Sequence, residues 1–131
     1  MLKLGELKSG DIVSINDEGV TREGVVVRTS PQEHKALINN GVQEYWFEPQ
    51  QITALPLDDK QLSRLGFVKE EYNNGVKYKK DSFRLAIHHP NDFSSMEMWW
   101  REDKRIFNHN IGVHDLQNLF LDMTKVPLEL T

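Results

Sequence analysis

Short stretches of alternating apolar and polar residues, closed by Asn-Gly or Glu-Gly turns, predict a mainly β chain. Two segments carry helical signals instead, one near the middle of the 131 residues and one near the end. Strands first, then a helix, a meander and a last helix give an α+β layout. The chain divides at residue 57, with a strand-rich segment 1–57 followed by an α+β unit 58–131.

In the first segment, Gly10–Asn16 sets Ile12 and Val13 among polar neighbours, and Asp17-Glu18-Gly19 supplies a turn. Val20–Ser30 is long and β-branched, and Gly24 inside it predicts a bulge or sharp bend. His34–Asn39 makes a third strand, closed by the hairpin signal Asn39-Asn40-Gly41, and Val42–Phe47 a fourth. "EPQQI" reads as one helical turn, and Ile52–Leu57 as a short fifth strand. Five short strands, a bent second one and a single turn before the last describe a small SH3-like β-barrel.

In the second segment, Asp58 caps a short helix with Leu62 and Leu65 inward and Gly66 as its stop. "FVKEEY" and "VKYKK" form a hairpin through Asn73-Asn74-Gly75. Ser82–His88, Met96–Arg101 and Arg105–Asn108 continue a small antiparallel sheet. The C-terminal helix, Val113 to about Thr124, buries Val113, Leu116, Leu119, Phe120 and Met123 and turns Asp115, Asn118 and Asp122 to solvent. The joint "ITALPLDD" is too short for a flexible linker, so the two segments are expected to pack together.

Composition narrows the function. With 38% hydrophobic and 27% charged residues, the chain fits an ordinary globule. A net charge of -4 argues against indiscriminate binding to nucleic acid or anionic membrane. The absence of cysteine excludes disulfides, thiolate-bound zinc and thiol catalysis. No apolar run approaches the roughly 18 residues that span a bilayer, and "MLKLGELKSG" has no signal-peptide core. A cytoplasmic location is the expectation.

Gly10, Asp11, Val13, Gly19, Gly24 and Val26 are arranged in a way that resembles the glycine-punctuated motif of KOW-type barrels in ribosomal and transcription factors. The resemblance implies nucleic-acid-binding relatives, which are usually basic. Residues 1–57 carry five Lys or Arg against eight Asp or Glu, a net of -3, so a structural turn pattern is preferred. The closing stretch "VHDLQNLFLDMTKVPLEL" resembles the C-terminal V-H-x-L-Q-N-L helix motif of a family of small proteins of Bacteroidetes bacteria and their phages. "LGFVKEEYNNGVKYKKDSFRL" and "ITALPLDDKQL" fit its usual order, so the likeness spans most of the chain. It implies no activity.

Chemistry is sparse. His88, His89 and Asp92 cluster on one loop, but adjacent histidines at a strand end point to opposite sides and rarely share an ion. No metal site is expected, and no cofactor. Ser82, Ser94 and Ser95 lack a neighbouring base, "NNG" and "EGV" are turns and not phosphate loops, and no carboxylate has an apolar setting. No catalytic residue is assigned. His114 and Gln117, one turn apart, either face a ligand or satisfy the core margin, and the second reading is favoured.

The aromatic residues say more. Strand alternation puts Met96, Met98 and Trp100 on one face and Glu97, Trp99 and Arg101 on the other. If the neighbouring polar faces align, Lys77, Lys79, Arg84, Trp99 and Arg101 share one side of the sheet, where an indole among cations can stack on a partner. In the first segment Trp46, within Tyr45-Trp46-Phe47, either reads a peptide or lies in a packing seam, and the seam is favoured. The expectation is a non-enzymatic binding or accessory module with a protein partner. The alternative is a nucleic-acid binder using the basic face.

Overall fold

The computed structural model describes residues 2–73 and 75–130. The chain is of the α+β class: two five-stranded antiparallel sheets, a short central helix and a C-terminal helix. It divides into two compact units, one holding residues up to Leu55 with Gly112–Asp115, the other Pro56–Ile111 with the residues from Leu116 on. The cut after Leu55 lies close to the expected one, but residues 112–115 belong with the first unit. There the Val113 amide donates to the Leu55 carbonyl at 2.8 Å.

The first sheet comprises β1 (Ile12–Asp17), β2 (Val20–Ser30), β3 (Lys35–Asn39), β4 (Glu44–Phe47) and β5 (Ile52–Thr53) in the order β4-β3-β2-β1-β5. The last strand returns beside the first after a 3-10 turn at Pro49–Gln51, as the sequence predicts. No ladder joins β4 to β5 among the described residues, so this is an open sheet and not a closed barrel. Glu18 and Gly19, with φ of 54° and 85°, form the two-residue turn between β1 and β2. The β3–β4 connection is longer: Asn39 pairs with Glu44, and the Asn40 side chain accepts from the Val42 and Gln43 amides. A short 3-10 turn, Leu4–Glu6, has no clear sequence signal.

Val13, Ile15, Val26, Ala36, Ile38, Phe47 and Ile52 form the core of this unit. Gly24 belongs to that packing. A Cβ there would overlap the Ile38 Cγ2 and stand 3.2 Å from the Ile15 Cδ1. The bulge lies further on, between Val26 and Arg28. Asp11 is fully buried, and its carboxylate accepts from the Lys8 amide at 3.0 Å and from the Lys8 ammonium. The Gly10 and Val26 amides donate to the Val26 and Asp11 carbonyls, both at 2.8 Å. Gly10, Asp11 and Val26 of the glycine-punctuated motif therefore serve the turn into β1.

The second unit begins with α1 (Asp59–Arg64). Asp58 caps it by accepting from the Gln61 amide at 2.8 Å, and Gly66, at φ 90°, stops it. Leu62 and Leu65 are fully buried. The sheet is a meander of β6 (Val68–Tyr72), β7 (Gly75–Lys80), β8 (Phe83–Ile87), β9 (Met96–Trp100) and β10 (Asp103–Phe107). The turn expected at Asn73-Asn74-Gly75 falls partly outside the described residues at Asn74; Tyr72 and Gly75, which flank it, are paired.

One face of this sheet carries Val76, Tyr78, Phe83, Leu85, Ile87, Met96 and Met98, all buried. Each such side chain contributes about 1.5–3 kcal/mol when removed from water. The C-terminal helix α2 (Val113–Thr124) brings Phe120 onto Phe83, with ring centroids 4.9 Å apart. Val113, Leu116, Phe120 and Met123 are buried as the spacing predicts, while Leu119 is half-buried. Gly112 ends the approach to α2, and the Asp115 carboxylate accepts its amide at 2.8 Å. Arg105 on β10 reaches Asp122 on α2 at 2.9 Å. No helix of the described residues is long and apolar enough to cross a membrane.

Candidate binding surface

The outer face of the second sheet is set by its register. Lys79, Arg84, Trp99 and Lys104 stand opposite one another along one row across β7, β8, β9 and β10. Lys77, Ala86, Glu97 and Ile106 form the next row. The alignment expected for Lys77, Lys79, Arg84 and Trp99 is therefore present. Trp99 and the two lysines are half-buried, and Arg84 is exposed. Lys104 completes the row, its ammonium 5.5 Å from the Trp99 ring. Sequence reasoning missed it by starting the last strand at Arg105; the tight turn at Arg101-Glu102 starts it at Asp103.

Arg101 departs from its expected place. The strand ends at Trp100, and Arg101 lies in the β9–β10 turn with φ 56°. Its guanidinium sits 4.2 Å from the Trp100 ring, the indole of the other face. It nevertheless borders the recess, about 510 Å³ in volume, that Lys77, Ser82, Arg84 and Trp99 also line. Trp100 in turn is only half-buried, not a full core residue.

Charge is distributed unevenly on this face. Lys79 pairs with Glu70 at 3.2 Å, and Lys104 with Glu97 at 3.8 Å. Lys77, Arg84 and Arg101 have no carboxylate partner among the described residues. Lys77 instead lies 5.5 Å from the Tyr72 ring. Around this cationic centre stand exposed apolar groups: Val68, Tyr72 and Ile106 are 65%, 46% and 58% exposed.

Trp46 lies in the first unit, on the edge strand β4. It and Tyr45 are exposed, with the Arg28 guanidinium 5.4 Å from the Trp46 ring, whereas Phe47 joins the core. Phe47 packs within the first unit's own core, and Trp46 stands outside that packing.

The remaining candidates are structural or solvated. Gln117 is buried and donates to the Leu128 carbonyl at 3.0 Å, which is the core-margin role expected of it. His114 is buried too, with Asp115 at 3.3 Å and Glu6 at 3.9 Å from its Nε2. His88 and His89 are exposed. Hydrogen bonds from the Ser94 hydroxyl and amide hold the Asp92 carboxyl below the usual carboxylate range. No group of three or more metal-binding side chains occurs among the described residues.

Fold and surface together define a two-sheet α+β chain with a cationic, aromatic sheet face. Comparison with protein-family models, curated proteins and solved structures finds no match to this chain.

Proposed function

We propose that the chain is a non-enzymatic, cytoplasmic binding module that engages a protein partner through the outer face of its second sheet. The observation that carries this reading is the half-buried Trp99 set among Lys77, Arg84 and Arg101, three cations without a carboxylate partner among the described residues. Interfaces favour aromatic residues and arginine at their centres, and the exposed Val68, Tyr72 and Ile106 add apolar area around this one. Glu70 and Glu97 interrupt the cations. That interruption suits a mixed protein surface better than a continuous phosphate backbone.

Nucleic-acid binding through the same cations is the second reading, favoured by the indole in a basic recess. Titration with acidic peptides and with single- and double-stranded DNA and RNA separates the two. The first reading expects peptide binding that weakens with salt and is lost in Arg84→Glu. A gel shift at low salt with no peptide binding would favour the second, and its slope against salt would count the phosphates contacted.

A further inference from the structure

Behind the cationic recess, the same end of the sheet holds an apolar pocket of about 190 Å³. Phe83, Trp100, Phe120 and Val126 give its apolar walls, and Lys80, Asp81 and Thr124 add polar groups to the lining. Ser82 and Arg101 border both the pocket and the recess, so the two share a rim. A dry apolar cavity of about 150 Å³ is large enough to hold benzene. The pocket thus has room for a leucine- or phenylalanine-sized side chain. Val126 is 55% exposed, which leaves the mouth open.

We infer that this pocket takes an apolar anchor side chain of an acidic peptide segment, whose neighbouring carboxylates lie against Arg101, Arg84 and Lys77. The inference rests on the reading of the Trp99 face as a protein-binding surface and adds what the partner must carry.

Three observations select this occupant. The lining of the recess holds three cations and no carboxylate, so its complement is an anion. The pocket beside it presents more apolar than polar wall, through Phe83, Trp100, Phe120 and Val126, so its main complement is apolar. The positive area is also bounded. Glu97 and Glu70 lie further along the sheet face, Glu102 follows Arg101 in the turn, Asp103 opens β10, and Asp81 stands at the pocket rim. A long polyanion leaving the recess meets these carboxylates, whereas one or two acidic residues beside an apolar anchor do not. The Arg101 guanidinium, already stacked on Trp100, is placed to bond a carboxylate at the junction.

The test uses the full chain and synthetic peptides, read by calorimetry and tryptophan emission. One peptide is rich in Asp and Glu with a single central Leu or Phe, a second has Ala at that position, and a third is oligoglutamate. A single-stranded oligonucleotide serves as the competing class. Burial of the anchor predicts that Leu→Ala in the peptide weakens binding about 10- to 100-fold. Val126→Trp, which fills the open mouth, should remove the difference between the Leu and Ala peptides. Arg101→Asn keeps a residue tolerant of positive φ in the turn and should weaken every acidic peptide.

Equal affinity for the Leu, Ala and oligoglutamate peptides overturns the inference while leaving the acidic-partner reading intact. Failure of all three peptides at low salt overturns both. Binding of the oligonucleotide alone does the same in favour of nucleic acid. The peptide comparison on the wild-type chain decides the matter even if a variant misfolds.

Discussion

Trp99 on β9 stands directly opposite Arg84 on β8, so a half-buried indole and an exposed guanidinium share one position of the ladder. Cross-strand neighbours of this kind hold each other's rotamers, which pre-orders the surface before any partner arrives. Lys104 flanks the indole from the other side. The arrangement places an indole between Arg84 and Lys104 on the sheet face.

Because Arg84 is exposed and without a carboxylate partner among the described residues, Arg84→Glu should leave folding almost untouched. Urea unfolding is expected to change by no more than about 0.5 kcal/mol. A larger loss would mean that the guanidinium holds the sheet together and is not held ready for a ligand.

Tyr78 and Asp59 join the meander to α1. The buried hydroxyl donates to the Asp59 Oδ1 at 2.8 Å, and Lys69 lies 3.2 Å from the same oxygen. Burial, then the bond to Asp59, pushes the Tyr78 hydroxyl well above the usual phenol range. The bond from Tyr78, opposed by partial desolvation and aided by Lys69, lowers the Asp59 carboxyl. A lowered carboxyl contributes stability above its ordinary range and loses it as pH falls through its folded value. The raised phenol contributes below its ordinary 10.0 and loses its share as pH rises beyond that. Tyr78→Phe should therefore cost about 1 kcal/mol near neutrality, Asp59 being largely solvated, and flatten both limbs of the stability profile. Chemical denaturation across pH checks this.

Gly24 has no room for a methyl group between Ile38 and Ile15. Gly24→Ala should lower stability by about 1–3 kcal/mol through overpacking. Gly5→Ala meets nothing within 4 Å and serves as the neutral control in the same thermal melt.

Gln117→Met removes the donor to the buried Leu128 carbonyl. A loss of about 1–3 kcal/mol is expected, with no change in peptide binding. Parallel unfolding and calorimetry separate the two effects, and lost binding in a folded variant would reopen a ligand role for this residue.

Much of this architecture is legible in the sequence because it rests on local signals. Alternation, Asn-Gly and Glu-Gly turns and the Asp58 cap place the strands and α1 to within a few residues. The face assignment of Lys77, Lys79, Arg84 and Trp99 follows from the same alternation once the meander pairs in register. What escaped depends on long-range geometry. Gly24 reads as a bend, but its lack of a side chain serves Ile38, which only the β2–β3 pairing brings near. Arg101 reads as a strand residue until the turn rotates it onto Trp100. The pocket behind Trp100 depends on where Phe120 and Val126 of the distant C-terminal region come to rest, which no local pattern encodes.

The Trp99 face is the proposed binding surface. The most direct measurement is a two-dimensional amide and indole NMR spectrum of the labelled chain, titrated with the acidic, leucine-anchored peptide. Shifts are expected at the Trp99 indole, Lys77, Arg84 and Arg101, with the Trp46 indole unmoved. Shifts centred on Trp46 and the first sheet, or none at a saturating peptide concentration, would contradict it.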